Sequence, residues 1–288
     1  MTEIESPQRN FCFDLHLNSI LVTPERCIMT APLSREIRAD DHLSARLGVL
    51  ATMLDVAGSD PVLAAWSPDW TATQDLSVHR IAPIQQGPIV VDAKTARLGK
   101  RVIFVSADLY DGNGITDIPT LQEAIDHRSS ARTVPTLAAK GLITFIRIPR
   151  TGASGVDSYD PNLWVGKLKK RAADRHNPEF LNERLGIDVI EAEAGIVEIA
   201  NNPYVANSIG TINGGVQAIT VEAAAEALCP HRIAVDLQMH FLSQLKAGPA
   251  RTRCTLVREA TDHSIVEVHL VDTAAGDKLL ARALVTLM

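Results

Sequence analysis

Residues 73–79 read TQDLSVH, and residues 234–240 read AVDLQMH. The same offset of 161 residues, without a gap, matches further pairs downstream: Gly87-Pro88 with Gly248-Pro249, Arg97 with Arg258, Val105 with Val266, Leu109 with Leu270 and Asp111 with Asp272. Chance seldom keeps one register through three successive strand-like segments. The chain therefore contains an internal structural repeat.

The surroundings of these matches predict the same order of elements in both halves. These elements are an apolar helix (48–58 or 215–228), a strand (74–84 or 233–245), a hairpin (89–98 with 102–110, or 250–258 with 265–271) and a closing strand (138–148 or 279–287). Insertions near 67–70 and 115–133 are expected on surface loops. Because short polar turns separate the strands, each unit is predicted to be an antiparallel sheet around a central helix, an α+β fold. The predicted division is a first domain at 1–150, a linker at 151–176 and a second domain at 177–288.

Composition restricts the class of protein. Hydrophobic residues make up 46% and charged residues 22%, which permits large buried cores. A net charge of -6 offers no broad basic field, so nucleic acid is not expected as a partner. The four cysteines lack metal-binding spacing and are expected to be reduced, and no metal is predicted. Without an apolar N-terminal stretch or a run of about 18–20 apolar residues, the protein is expected to be cytoplasmic, with no membrane insertion.

A basic run at 167–171, KLKKR, lies in the predicted linker. One interpretation is a solvated linker helix. The other is a seat for the anionic tail of a ligand. The sequence leaves both open.

Each apolar helix carries one ionisable residue at a matching position, Asp55 in the first and Glu222 in the second, seven residues after a glycine. A carboxylate in apolar surroundings is costly, its pKa tends to rise, and such groups concentrate at reactive sites. The alternative is a structural acid bonded to backbone or to an arginine. Glu226, one turn after Glu222, could form a second acid site with it or a relic held by hydrogen bonds.

The pattern of glycine, six residues and an acid on a buried helix, followed by a strand with Asp-Leu and a Gly-Pro turn, resembles the hotdog thioesterases of the PaaI/4-hydroxybenzoyl-CoA thioesterase group. That family has His-Gly-Gly before the helix and an Asn or Gln six residues before the His. The second half is similar, with Asn207 and then Asn213-Gly214-Gly215, but has Asn in place of His. The first half, with Asp40 and Arg46-Leu47-Gly48, departs from the pattern.

The resemblance implies two hotdog domains in tandem, paired as a pseudo-dimer so that the glycine loop of one meets the acid of the other. It implies hydrolysis of an acyl-CoA, or of an acyl-carrier thioester, to the free acid, as part of lipid metabolism. No cofactor is expected apart from CoA as part of the substrate. The fused pair is expected to form a homo-oligomer.

One working site is predicted, between the second glycine loop and the first acid. Its catalytic residues would be Asp55 as base or nucleophile, Thr73 orienting water, Asn207 holding the acid or the carbonyl, and the Gly214 amide polarising the carbonyl. The predicted substrate-binding residues are Asn213, Gly215 and Ser59. Glu222, Glu226 and Gly48 form the possible second or relic site.

Two other functions remain open. A non-catalytic acyl-CoA-binding or sensing protein is favoured by the missing His and the altered first loop. A hydratase or dehydratase on the same fold is disfavoured, because no Asp-x-Asn-x-x-His loop occurs. The repeated His79 and His240 are interpreted as packing or sheet-face residues.

Overall fold

The computed structural model describes residues 10–39, 44–127, 134–150, 160–171 and 177–288. In these ranges thirteen strands form one sheet in which the ladders between strands are antiparallel. In chain order they are β1 (Leu17–Thr23), β2 (Arg26–Ala31), β3 (Trp70–Arg80), β4 (Ile89–Arg97), β5 (Val102–Asp111), β6 (Thr136–Ile148), β7 (Leu168–Arg171), β8 (Ile187–Glu191), β9 (Ile196–Ile199), β10 (Ala234–Phe241), β11 (Ala250–Glu259), β12 (Ser264–Asp272) and β13 (Lys278–Leu287). Their order across the sheet is β7-β1-β2-β4-β5-β6-β3-β10-β13-β12-β11-β9-β8.

Five helices accompany this sheet in the described ranges. In chain order they are α1 (Phe11–Asp14), α2 (Leu47–Trp66), α3 (Ile118–His127), α4 (Leu181–Leu185) and α5 (Gly214–Leu228). The long helices α2 and α5 are apolar on nearly every side because each is wrapped by the strands of its own half. The predicted fold class is confirmed: two antiparallel units, each around a central helix.

The two units join through strands β3 and β10. His79 of β3 lies opposite Asp236 of β10, and Asp75 lies opposite His240, so this pairing follows the internal repeat. The ring of His79 hydrogen-bonds to the Asp236 carboxylate across the junction. One continuous sheet therefore results from two repeats, which is the predicted pseudo-dimer in a single chain.

The central helices cross where each has a glycine. A Cβ on Gly48 would lie 2.7 Å from Ile219 Cα, and a Cβ on Gly215 would lie 2.4 Å from Thr52 Oγ1. Gly48 and Gly215 are equivalent in the repeat, as are Thr52 and Ile219. These two glycines are thus required by the close approach of the helices.

Several sequence predictions are corrected by the structure. Most of the residues added before β3 extend α2 to Trp66, and only a short exposed turn at 67–69 remains as the expected loop. The insertion at 115–133 contains helix α3, which packs Ile118 and Leu121 against Ile28 and Val90 on the outer side of the sheet. The basic run forms strand β7, paired with β1, and not a solvated linker helix. Residues 151–159 and 172–176 of the predicted linker lie outside the described residues, as does Asp40.

The expectation about apolar runs also needs correction. By length and composition alone, Leu47–Trp66 could cross a membrane, but 78% of its apolar window is buried inside the fold. Burial of this kind is what the central helix of a wrapped sheet requires. The helix is therefore weak evidence for a membrane span.

Candidate active site

A cavity of about 510 Å³ lies where the two units meet. Helix α2 and strand β3 of the first unit form one wall, and the loop that leads into α5 of the second unit forms the other. Six of the residues predicted from the sequence line it: Asp55, Ser59, Thr73, Asn207, Asn213 and Gly214. The structure thus brings these six residues together, although most of them are far apart in the chain.

Asp55 projects from α2 toward the bulged part of β3. Its Oδ1 accepts a hydrogen bond from Thr73 Oγ1 at 2.5 Å. Burial raises the pKa of Asp55 from 3.8 to about 6, and the Thr73 hydroxyl opposes this rise. At neutral pH the group is therefore mostly ionised, yet basic enough to accept a proton from water.

The N-terminus of helix α5 lies beside this carboxylate. A Cβ on Gly214 would lie 3.3 Å from Asp55 Oδ2, so the glycine backbone and the acid are neighbours. Asn213 caps the helix, its Oδ1 accepting from Gly215 N at 2.8 Å. No acceptor for the Gly214 N–H occurs among the residues that the structure describes. A free donor at the positive end of a helix suits a developing negative charge.

The other predicted residues have structural partners as well. Asn207 Oδ1 accepts from Ile209 N at 3.1 Å and Thr211 N at 3.2 Å, which closes the loop before α5. Ser59 Oγ donates to Val56 O within α2. Loop closure accounts for Asn207 and capping accounts for Asn213, so the functional roles of both stay predictions. Gly215 contacts Thr52 at the helix crossing, which accounts for the glycine; its role in binding also stays a prediction.

The equivalent place at the start of α2 is filled. Glu222 accepts from Leu47 N at 2.7 Å and from Gly48 N at 3.0 Å, so its carboxylate occupies the free donors of that helix. Arg46 donates from Nε to Glu222 at 3.2 Å and from Nη2 to Glu226 at 2.7 Å. Glu222 therefore fits the structural alternative, an acid bonded to backbone and to an arginine.

Sequence reasoning missed two parts of the cavity wall. Gln217 lies on α5 just after Gly214; its Nε2 donates to Ile212 O at 3.0 Å, and its buried Oε1 has no partner within the described part of the chain. Lys169 and Arg171 enter the wall from β7, near Asp60 of α2. The alternation of residues in the basic run was the available signal, since residues two apart share a strand face.

Two known protein families match this chain, one in each of its two halves. The family described as "Thioesterase superfamily" matches residues 47–118, and the one described as "Acyl-CoA thioesterase N-terminal domain" matches residues 203–288. A protein of Saccharolobus solfataricus whose name proposes esterase activity is 32% identical over 66 residues, or 23% of this chain. The match spans 44% of that relative, less than half its length.

Solved structures match nearly the whole chain. A protein of Thermobifida fusca YX, named for a proposed thioesterase II activity, is 15% identical with a TM-score of 0.57, and the match covers 98% of each chain. An acyl-ACP thioesterase from Bacteroides thetaiotaomicron VPI-5482 is 10% identical with a TM-score of 0.53, and the match covers 91% of this chain and 98% of that one. At such low identities these similarities establish the architecture of two units in one chain.

Proposed function

The chain belongs to the thioesterase superfamily and has two hotdog domains, and from this premise we propose that it hydrolyses acyl-CoA thioesters to the free acid and CoA. The reaction would take place in the cavity beside Asp55. The observation that carries the proposal is the juxtaposition of that carboxylate with the unoccupied Gly214 amide. A thioester carbonyl placed between them would meet both a base and a hydrogen-bond donor.

In the proposed reaction, the carbonyl oxygen accepts a hydrogen bond from Gly214 N–H. Asp55 removes a proton from a water molecule, which the Thr73 hydroxyl helps to hold, and the hydroxide attacks the carbonyl carbon. The negative charge of the tetrahedral intermediate develops on the oxygen beside the helix N-terminus. The C–S bond then breaks, the sulfur leaves as a thiolate, and the proton held by Asp55 passes to it.

A direct attack by Asp55 uses the same geometry. Its Oδ2 would form a mixed anhydride with the acyl group, release the CoA thiolate, and be regenerated when water cleaves the anhydride. Both routes need an ionised Asp55, and both need the amide donor. They share the predicted residues and differ only in the first bond that forms.

The start of α2 is not proposed as a second working site. Its amide donors already bind Glu222, and the position equivalent to Thr73 is Ala234, which has no hydroxyl. A carbonyl there would find both of these amides already bonded, and a water would lack the hydroxyl that Thr73 supplies in the other site. One site per chain follows from this asymmetry.

The test is a panel of acyl-CoA and acyl-carrier-protein thioesters with detection of the free thiol. Asp55→Asn should lower kcat by about 10²- to 10⁴-fold, the usual effect of losing a positioned acid or base. Glu222→Gln should leave kcat near the wild-type value, which makes it the matched control.

The opposite order of the two variants would contradict the choice of site. Tight binding of acyl-CoA by the wild-type protein, measured by calorimetry, without release of thiol would favour the sensing function instead. Turnover of the acyl-carrier-protein substrates alone would correct the carrier but keep the reaction.

A further inference from the structure

The two peptides that precede Gly214 are both held by Gln217, which lies in the first turn of helix α5. Its backbone N–H donates to Asn213 O at 3.0 Å. Its side-chain Nε2 donates to Ile212 O, also at 3.0 Å. At the other end of the first peptide, Asn213 N donates to Val205 O at 2.9 Å. The Gly214 N–H, which has no acceptor in the described ranges, is thus supported by two peptides whose carbonyls Gln217 binds.

The equivalent carbonyl at the start of α2 is held by a different residue. Ala45 is the counterpart of Ile212 in the repeat, and its O accepts from Arg80 Nη2 at 2.9 Å. The counterpart of Gln217 is Leu50, which has no donor in its side chain. The carbonyl is therefore bonded in both units, by an arginine of strand β3 in the first and by a glutamine of the helix itself in the second.

The change of donor keeps a charge out of the cavity. The counterpart of Arg80 in the second unit is Phe241, which lines the cavity. A Cβ on Gly214 would lie 3.3 Å from both Phe241 Cζ and Asp55 Oδ2, so the side chain at position 241 lies close to the carboxylate. An arginine there would lower the pKa of Asp55 and make it a weaker base. A neutral glutamine that binds the carbonyl from the helix avoids this effect.

The stability of the fold does not explain a glutamine at this position. Gln217 is 7% exposed, and its buried Oε1 has no partner among the residues described. A buried acceptor without a hydrogen bond is costly. Leucine, as at the equivalent Leu50, would remove that cost but would leave Ile212 O without a donor. Because the two effects oppose each other, glutamine and leucine are expected to give similar stability, and the bond from Nε2 to the loop is what distinguishes them.

We propose that Gln217 is a positioning residue for the hydrolysis: it holds the Ile212 carbonyl so that the Gly214 N–H points at the oxygen of the thioester. This inference rests on the proposed function and adds a residue that the sequence analysis did not include. Gln217 acts through Gly214 and does not contact the substrate. Because the negative charge on the oxygen develops only when the carbonyl is attacked, loss of Gln217 affects the transition state more than the binding of the substrate.

The test replaces Gln217 by leucine, the residue of the first unit at this position. Gln217→Leu should lower kcat by about 10- to 100-fold and leave KM nearly unchanged, a smaller effect than removal of an oxyanion donor because the amide itself remains. The midpoint of urea denaturation should stay near the wild-type value. Gln217→Glu, which has no NH₂ group to donate, should lose at least as much activity. The matched control is Gln238→Leu, the same change at an exposed position of β10, which should leave kcat and KM unchanged.

A second measurement separates the transition state from the substrate. Calorimetry compares the binding of two CoA analogues: a trifluoromethyl ketone, whose hydrate is tetrahedral like the intermediate, and a thioether, which lacks the carbonyl. Gln217→Leu should weaken the binding of the ketone by the factor that is lost in kcat/KM and leave the binding of the thioether unchanged. Equal weakening of both analogues would contradict the inference.

The possible failures are distinguishable. A wild-type kcat in Gln217→Leu would overturn the inference and leave the proposed function standing. A lower kcat together with a lower urea midpoint would show a structural role, and a higher KM alone would show direct contact with the substrate, so both results would also overturn it. If the wild-type protein hydrolyses no thioester, the proposed function fails, and hydrogen exchange of the Asn213 N–H then decides the inference. This exchange should be faster in Gln217→Leu, and an unchanged rate would reject the inference.

Discussion

The central helices α2 and α5 are equivalent in the repeat, but their N-termini differ in whether the backbone amides are bonded. We call the N-terminus of α2 the closed end and the N-terminus of α5 the open end. At the start of α2, Glu222 binds the amides of Leu47 and Gly48. At the start of α5, the Gly214 amide is without an acceptor in the ranges described, and the neighbouring Asp55 is bonded to Thr73. The difference shows that a carboxylate near a helix start can serve either structure or chemistry.

Two small sequence differences account for this outcome. Glutamate is longer than aspartate by one methylene, which lets Glu222 reach the amides, whereas Asp55 stops short of them. Thr73 supplies a hydroxyl that holds Asp55 Oδ1, and its counterpart Ala234 supplies none. The closed end gains hydrogen bonds. The open end retains a donor, the Gly214 amide, and a base, Asp55, that are not bonded to each other.

The largest effect is expected from breaking the closed end. Glu222→Gln removes the charge that Arg46 and two amides share, and its NH₂ group cannot accept from the second amide. The free energy of unfolding, measured by urea denaturation at pH 7, should fall by about 2–4 kcal/mol. Glu222 is 1% exposed, so solvent cannot replace these bonds. An unchanged unfolding free energy would show that this network does not hold the helix crossing.

A smaller effect is expected from crowding the open end. In Gly214→Ala, the new Cβ would lie 3.3 Å from both Asp55 Oδ2 and Phe241 Cζ, in the space intended for the carbonyl. We expect kcat/KM to fall by about 10- to 100-fold, less than the roughly 10²- to 10³-fold loss on removing an oxyanion donor, because the backbone amide itself remains. Stability should change little, because the Phe241 ring is half-buried and can shift.

The counterpart at the closed end is Gly48→Ala. There the new Cβ would lie 2.7 Å from Ile219 Cα, a backbone atom that cannot move aside. This variant should lose about 1–3 kcal/mol of stability by overpacking the crossing. Equal losses of activity in the two glycine variants would remove the distinction between the two ends.

The fold could be predicted where the pattern is local. Helices that are apolar on every side, and strands in one repeated register, indicated the two wrapped units. Strand β7 could not be predicted, because KLKKR becomes a strand only by pairing with β1, about 150 residues earlier in the chain. The hairpins β1–β2 and β8–β9 share no register with the repeat, so it gave no signal for them.

The candidate site could be predicted in part for a similar reason. The resemblance placed Asp55 near Gly214, and the two are neighbours in the structure. The closure of the other end depends on how closely the helices cross, which brings Glu222 within reach of Gly48 N. The spacing of residues along the chain does not predict how closely the two helices approach. The inward face of β7 likewise became visible only once the strand was in place.

The smallest effect concerns the stability of the open end itself. The pKa of Asp55 rises from 3.8 to about 6 on folding, so the folded state holds this proton more tightly than the unfolded state. The stabilisation from that proton is complete below pH 3.8 and is lost as the pH rises through 6. Asp55→Asn cannot ionise, so it escapes this loss. At pH 8 the variant should be more stable than the wild type by about 1–2 kcal/mol, after allowance for the water that reaches the cavity.

Urea denaturation of both proteins at pH 4, 6 and 8 checks this expectation. The difference between them should be close to zero at pH 4 and should grow with pH, while Glu222→Gln stays less stable than wild type at pH 8. If Asp55→Asn were the less stable protein at pH 8, then Asp55 would be a structural acid like Glu222. A carboxylate that serves catalysis is expected to lower the stability of the fold, and one that serves structure is expected to raise it. Asp55 and Glu222 would then differ in their hydrogen bonds but would both be structural.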